Sequence, residues 1–335
     1  MREAQTQIGN SGVCDMNMRW PLCLSLLLVT TSVLRAQQEP IIDVHVHTFA
    51  RSPGSTLTQM RNPVTGQPMT AIDFAAHEKS TLDDMQRLNI VKAVVFDNGE
   101  DYNGVLQWKK DAPDKVIAGL TITDPAKVDA TFLRNEYKAG RLQMIGEVAQ
   151  QYVGIAPNDS RMEPIFALAE ELDLPIGLHM FPGGPPGQAY FPGSHFRVSL
   201  GDPLLLEDVL ARHPKLRIYV MHAGWPFLDH MIALMYAYPN VSVDLGVIDW
   251  LLPRAEFYRY LRALVQAGYS KRVMFGSDPV TFPENIGVAV DAVKSADFLT
   301  PEQKSDILYH NAARFFRLEP TPRFSPPGAL ETLPR

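Results

Sequence analysis

The stretch Ile41-Ile-Asp-Val-His-Val-His-Thr48 decides how the rest of the chain is read. Its residues Ile41, Ile42, Val44 and Val46 are apolar and β-branched, which specifies a strand. Side chains two apart on a strand share a face, so Asp43, His45 and His47 are expected to project together. Two neighbouring imidazoles with a carboxylate beside them make half of a metal site. An edge strand with two surface histidines would explain the pair alone, but comparable residues recur at the ends of later strands.

Working outward, short β-branched or apolar runs follow at 91–96, 116–121, 144–148, 175–178, 216–221, 241–245 and 272–275. Segments of helical periodicity separate them, among them 80–88, 162–172, 203–212 and 253–267. Helix-start signals stand at Ser80, at Asp124-Pro125 and at Asp202-Pro203. Eight strand–helix units in about 280 residues specify an α/β protein with a single (β/α)8 TIM barrel. An open doubly wound sheet would favour a glycine-rich phosphate turn after the first strand, and none is present.

The barrel is expected over 39–319, preceded by a signal peptide at 1–36 and followed by an irregular Pro- and Arg-bearing tail at 320–335. Arg19 precedes a mostly apolar stretch from Leu22 to Leu34, too short to span a bilayer but suited to a secretory signal, with cleavage after Ala36. Met16 or Met18 is then an alternative start. Both cysteines, Cys14 and Cys23, fall in the removed segment, so no disulfide stabilises the mature chain. The expectation is an exported protein, periplasmic or extracellular, without stable membrane contact after cleavage. A composition of 46% hydrophobic and 20% charged residues is that of a globular protein with a sizeable core. The net charge of −6, with no long basic run, argues against a nucleic-acid partner. A small-molecule substrate is expected; the oligomeric state stays open, with a homodimer among the alternatives.

Barrel chemistry sits at the C-terminal ends of the strands. There the sequence places His45 and His47 on the first strand, Glu147 on the fourth, His179 after the fifth, His222 after the sixth and Asp278 after the eighth. His77, His213, His230 and His310 fall within or at the ends of helices and are read as structural.

In these residues the chain resembles the amidohydrolase superfamily. The closest branch is the amidohydrolase-related family, which includes aminocarboxymuconate-semialdehyde decarboxylase and hydrolases of pyrone and lactone carboxylates. The resemblance runs from Ile41 to Leu318 and rests on four motifs and a closing helix. The motifs are Asp43-Val-His45-Val-His47, Leu174-Pro-Ile-Gly-Leu-His179, Met221-His222-Ala-Gly224 and Phe275-Gly-Ser-Asp278; the helix is Asn311-Ala-Ala-Arg-Phe-Phe-Arg-Leu318. It implies that His45, His47, His179 and Asp278 hold a divalent metal, zinc, with manganese or iron as alternatives. One ion per chain is expected. Asp278 would carry the proton of the attacking water, and His222 would polarise the substrate carbonyl or hold the water. Glu147 stands where two-metal relatives place a carboxylated lysine. Together with Asp43, it is expected either to support a ligand from behind or to bridge a second metal.

The Gly- and Pro-rich loop 181–197 is expected to set substrate choice, with His195 and Arg197 able to meet an anionic group. Arg51 and Arg61 in the first loop and Trp225 after the sixth strand are further substrate-binding candidates, while Trp250 and Asp249 follow the seventh. Three functions remain in view. The first is a metal-dependent hydrolase of a C–O or C–N bond in a small carboxylated lactone, ester or amide. The second is a metal-dependent non-oxidative decarboxylase. The third is an exported barrel that binds a metal or ligand without turnover.

Overall fold

The computed structural model describes residues 38–48, 61–70, 73–97, 102–184 and 186–318. The expected signal peptide at 1–36, the expected tail at 320–335 and Arg51 lie outside them.

Eight strands are present: β1 (Ile41–His47), β2 (Ile90–Phe96), β3 (Val116–Ile122), β4 (Met144–Val148), β5 (Ile176–Leu178), β6 (Ile218–Val220), β7 (Val241–Asp244) and β8 (Val273–Met274). They form one sheet in sequence order, every pair of neighbours parallel. Val44 N–H donates to Phe275 O (3.0 Å) and Asp278 N–H to His45 O (2.7 Å), joining the last strand's end to the first. This is the expected (β/α)8 barrel. Strands covered on both sides read as continuous apolar runs rather than alternating ones, and all seven residues of β1 are buried.

Two apolar layers fill the fold. Residues Ile41, Val46, Val95, Trp108, Phe166, Phe257 and many others pack strands against helices. Ile42, Val44, Phe96, Met144, Tyr219, Met221 and Met274 form a second cluster. The Tyr219 hydroxyl crosses from β6 to β1, which are not sheet neighbours, and donates to Val44 O at 2.9 Å. That bond places the second cluster inside the barrel. Tyr309, Ala312 and Ala313 of the closing helical segment pack against it.

Strict alternation fails along β1. Its register against β2 slips between Asp43 and Val46. Val44 therefore packs in the inner cluster and Val46 in the outer one, although they are two apart. A similar slip between Ile145 and Val148 of β4 brackets Glu147. Such irregularities re-aim side chains, and here they coincide with strands that carry candidate site residues.

Helix starts depart most from the sequence pattern. The helix expected from Ser80 begins at Phe74, where the Asp73 carboxylate accepts Ala76 N–H; Ser80 lies in its interior. Asp124-Pro125 caps only the 3-10 turn Pro125–Lys127, and the following helix Ala130–Lys138 is capped by Asp129. Asp202 likewise caps a 3-10 turn, Pro203–Leu206, which runs directly into the helix Glu207–Arg212. A polar residue before a proline thus marks a turn of some kind, and tertiary packing decides whether an α-helix follows at once.

Three of the helical histidines make packing or ion-pair contacts away from the strand ends. His213 is buried between Glu163 (2.9 Å) and Glu170 (3.1 Å). His230 pairs with Asp202 at 2.9 Å. His77 is fully buried, donates from Nε2 to Val280 O (2.9 Å) and packs 5.8 Å from the Trp108 ring. Burial pulls the His77 pKa down to about 4. The unfolded chain therefore takes up a proton below about pH 6.5 that the folded one refuses, so stability falls as pH drops from 6.5 toward 4. The contribution is up to about 3 kcal/mol. His77→Gln should flatten this slope. Urea midpoints at pH 7 and pH 4.5 check it, and equal slopes in variant and parent would remove His77 as the cause.

Candidate metal centre

The strand ends bring His45, His47, Glu147, His179, His222 and Asp278 together, all with less than an eighth of the side chain exposed. His45 Nε2 and His47 Nε2 approach to 3.1 Å. Asp278 Oδ1 lies 3.7 Å from the first and 3.4 Å from the second. Glu147 Oε2 is 3.3 Å from His47 Nε2, and its Oε1 is 2.5 Å from His179 Nδ1 and 3.7 Å from His222 Nε2.

The far side of each ring explains its orientation. His45 Nδ1–H donates to Asp244 Oδ2 (2.9 Å), His47 Nδ1–H to Asp97 O (3.1 Å) and His222 Nδ1–H to Gly246 O (2.9 Å). A carbonyl oxygen only accepts, so these bonds hold the ring proton on Nδ1 and turn the Nε2 lone pairs inward. Close packing fixes the rings further. A Cβ on Gly276 would fall 2.8 Å from His45 Cβ, and one on Gly246 would fall 2.8 Å from His45 Nδ1, so neither position tolerates a side chain.

Two site residues adopt left-handed backbone, His222 at φ 58° and Asp278 at φ 41°. Such a conformation costs about 1–3 kcal/mol in a non-glycine residue and needs its surroundings to hold it. The hold is visible: His222 N–H donates to Asp244 Oδ1 (2.8 Å) and Asp278 N–H to His45 O (2.7 Å).

These residues fit a divalent cation. Two nitrogens bonded to one ion at about 2.0–2.1 Å, with bond angles of roughly 90–110°, sit roughly 2.8–3.4 Å apart. The His45–His47 spacing of 3.1 Å matches, and without an ion a proton on one of the two nitrogens lets them hydrogen-bond at that distance. His179 Nε2 and Asp278 Oδ1 are buried with no hydrogen-bond partner among the described residues. The field of the carboxylates makes the same demand. Burial lowers the pKa of His45, but Asp278 and Asp244 overcome that and lift it to about 10. Burial opposes the charge on Glu147, yet His179, His222 and His47 outweigh it and hold its carboxyl well below the usual range. The centre takes up positive charge, as protons or as a metal ion.

Some expectations are redistributed. His179 makes its close approaches to Glu147 and His222. Asp43 does not join the imidazoles. Its carboxylate accepts from Ser277 N–H (2.9 Å), Ser277 Oγ–H (2.5 Å) and His45 N–H (3.1 Å), so it ties β1 to the loop after β8. Burial pushes its pKa up to about 7 despite those bonds. His222 Nδ1–H is given to Gly246 O, so its Nε2 faces the centre.

The substrate candidates fare unevenly. Arg61 is exposed and donates to Gly66 O (2.9 Å) within its own loop. His195 and Arg197 are exposed, and Arg197 donates to Phe196 O (2.7 Å). Trp225 is half-buried and gives its indole N–H to Glu256 (3.0 Å). Its ring lies 5.7 Å from Phe181, which is 5.0 Å from the His222 ring. Asp249 is buried, and burial, then the charges of Asp43 and Asp244, hold its carboxyl well above the usual range.

Sequence reasoning passes over Asp244, Ser277, Asp97 and Tyr152. Asp244 closes β7 just as other site residues close their strands, a signal obscured because Leu245 extends the apolar pattern past it. Tyr152 packs 4.9 Å from the His179 ring and 5.2 Å from Phe196, so that buried phenylalanine anchors the 181–197 loop beside the centre. Nothing in the sequence pattern marks Tyr152.

A (β/α)8 barrel with imidazoles and carboxylates gathered at its strand ends defines a metal-dependent barrel enzyme. The amidohydrolase family model matches residues 42–318, and the chain belongs to that family. Among curated proteins, protein FluG of Emericella nidulans is 29% identical over 147 residues, 39% of this chain and 16% of the relative. The chain thus matches only about a sixth of that relative's length. A solved structure described as a probable 2-pyrone-4,6-dicarboxylic acid hydrolase of Acinetobacter baumannii has a TM-score of 0.60 at 16% identity, covering 83% of this chain and 99% of its own. A 5-carboxyvanillate decarboxylase of Novosphingobium aromaticivorans with bound manganese has a TM-score of 0.57 at 15% identity, covering 84% and 97%. Both share the barrel fold with this chain.

One consequence is measurable without a substrate. With its pKa lifted to about 10, His45 holds a proton at neutral pH in the metal-free protein, and a metal ion must displace it. Adding Zn2+ to EDTA-stripped protein at pH 7.5 should release about one proton or more. Apparent affinity should rise from pH 6 to pH 9 as that proton becomes easier to lose. Calorimetry in two buffers of different ionisation enthalpy measures the release; metal uptake without it would contradict ligation by His45.

Proposed function

We propose that this protein is an exported, zinc-dependent hydrolase that cleaves a C–O or C–N bond in a small carboxylated lactone, ester or amide. The observation that carries the reading is the set of inward-facing Nε2 atoms of His45 and His47 beside the buried Asp278 Oδ1, which has no hydrogen-bond partner among the described residues. Nitrogen-rich ligation completed by carboxylates suits zinc, while the manganese in the decarboxylase relative keeps manganese as the alternative. Export rests on the apolar run from Leu22 to Leu34 behind Arg19.

When bound, the cation supplies Lewis-acid activation of water and of the scissile group. The chain supplies orientation and proton transfer. Asp244 and Asp97 fix the His45 and His47 rings through their Nδ1–H groups. The Asp278 carboxylate, at the same strand ends, is placed to accept a proton from the attacking water and return it to the leaving alkoxide or amine. Phe181 and the half-buried Tyr152 pack against the His179 ring, with Phe196 behind Tyr152, and form an apolar wall on that side.

A second reading, non-oxidative decarboxylation, is supported by the decarboxylase structures among the fold's neighbours. One assay separates the two. With carboxylated lactones and aromatic acids in H2(18)O, hydrolysis places one labelled oxygen in the product, whereas decarboxylation releases CO2. Asp278→Asn should lower kcat by about 10²–10⁴-fold while metal content persists. An Asp278→Asn protein with parental kcat would remove Asp278 as the proton carrier.

A further inference from the structure

We propose that residues 319–335 dock in the groove between the helices Tyr102–Asp111 and Ala130–Lys138, with Phe324 against the Tyr102 and Phe132 rings and Arg323 on Asp129. The groove lies over the outward face of β3 and has a volume of about 690 Å³. That is within the roughly 300–1,000 Å³ of binding pockets. Helices usually close the outer ring of such a barrel. Here Leu120, which packs outward from β3, is only half-buried, and Phe132 is 40% exposed. Leu106 and Leu133 line the groove, and the Tyr102 and Phe132 rings meet edge to face at 6.4 Å. Apolar surface left open in this way marks a place for a partner.

The rim selects that partner. Three carboxylates, Asp124, Asp129 and Glu136, line the groove against two cations, Lys127 and Arg141. Glu136 and Arg141 satisfy each other through two bonds of 2.7 and 2.5 Å. Asp124 Oδ1 accepts Ala126 N–H (3.0 Å), and Asp129 Oδ1 accepts Thr131 N–H (2.8 Å). The second oxygens of Asp124 and Asp129 carry no hydrogen bond among the described residues, which leaves them for a cation. The chain beyond Leu318 has the matching composition. Pro320-Thr-Pro-Arg-Phe324 sets a guanidinium beside an aromatic ring, and residues 319–335 hold five prolines. Proline-rich segments favour the extended polyproline II form, which binds aromatic-lined grooves at little ordering cost.

The chain also leaves the barrel beside this groove. Arg317 pairs with Asp173 at the end of the helix Glu163–Leu172, and Arg217 Nε donates to the same carboxylate (2.8 Å). The Tyr137 phenol of the helix Ala130–Lys138 acts on that same Arg217 charge, and Arg134 Nη2 ties this helix to Glu171 (2.5 Å). One helix, Ala130–Lys138, therefore separates Leu318 from the groove. A helix with its side chains is about 10–12 Å across. The six residues from Leu318 to Phe324 span about 19 Å as polyproline II, enough to cross it.

Proteolysis of the full-length chain tests the docking. The groove shares no residue with the strand-end centre, so either result leaves the metal-dependent reading standing. Trypsin cleavage after Arg323 is timed by mass spectrometry against the same bond in a synthetic 319–335 peptide. Docking should slow it by about tenfold or more, since cleavage tracks the undocked population. Asp129→Asn, which keeps a helix-capping side chain, and Phe132→Ser should each restore the peptide's rate with unchanged far-UV circular dichroism. Cleavage of the parent at the peptide's rate would overturn the proposal. So would protection that persists in either variant, which would place the segment elsewhere, or protection lost on dilution, which would assign it to a second copy. The first comparison uses the parent alone, so a variant that misfolds does not shield the proposal.

Discussion

One buried carboxylate, Asp244 at the end of β7, organises the centre. Its Oδ2 takes the His45 ring proton, and its Oδ1 takes the backbone N–H groups of His222 and Gly246. The first bond aims a ligand nitrogen, and the second holds His222 in a left-handed conformation that no other described bond to its N–H sustains. Gly246 in turn presents the carbonyl that fixes the His222 ring. Three residues, from β1 and from the segments after β6 and β7, are therefore oriented through one side chain, and the centre's precision depends on that side chain staying in place.

Electrostatics and packing pull in opposite directions at the strand ends. The barrel interior is apolar, with Phe96 edge-on to His45 at 5.8 Å and Met144, Tyr219 and Met221 in the inner cluster. Burying Glu147, Asp278, Asp244 and Asp43 in such surroundings is costly unless each is paired. Asp43 is answered by Ser277 and backbone N–H groups, Asp244 by His45 and two backbone donors. Glu147 and Asp278 are answered chiefly by imidazoles, a polarity that a cation completes. The function of the protein is concentrated where the fold alone leaves charge unbalanced.

The loop after β5 closes one side of this region by a chain of rings. Phe196 is fully buried against Tyr152, Tyr152 against His179, and Phe181 lies between His222 and Trp225. These contacts anchor the loop at two points while Tyr190 and Phe191 between them remain exposed. Loop arginines, by contrast, are occupied locally or solvated: Arg61 and Arg197 each bond to a carbonyl of their own segment.

The sequence by itself determined the barrel and most of its centre. Strand after strand ends in a residue able to bind a metal, and a side chain's place at a strand end follows from local pattern alone. It could not say how those residues divide among themselves. Strand alternation, a local rule, puts Asp43 beside His45, whereas a register slip against β2, a long-range fact, sends it to Ser277 instead. Ser80 carries a helix-start signal, yet packing extends that helix back to Asp73. Asp244, Asp97 and Tyr152 matter only through what they touch, which residues far along the chain decide. Local chemistry names the candidates, whereas hydrogen-bond partners and the direction of each ring are set by neighbours brought together when the eight strands close.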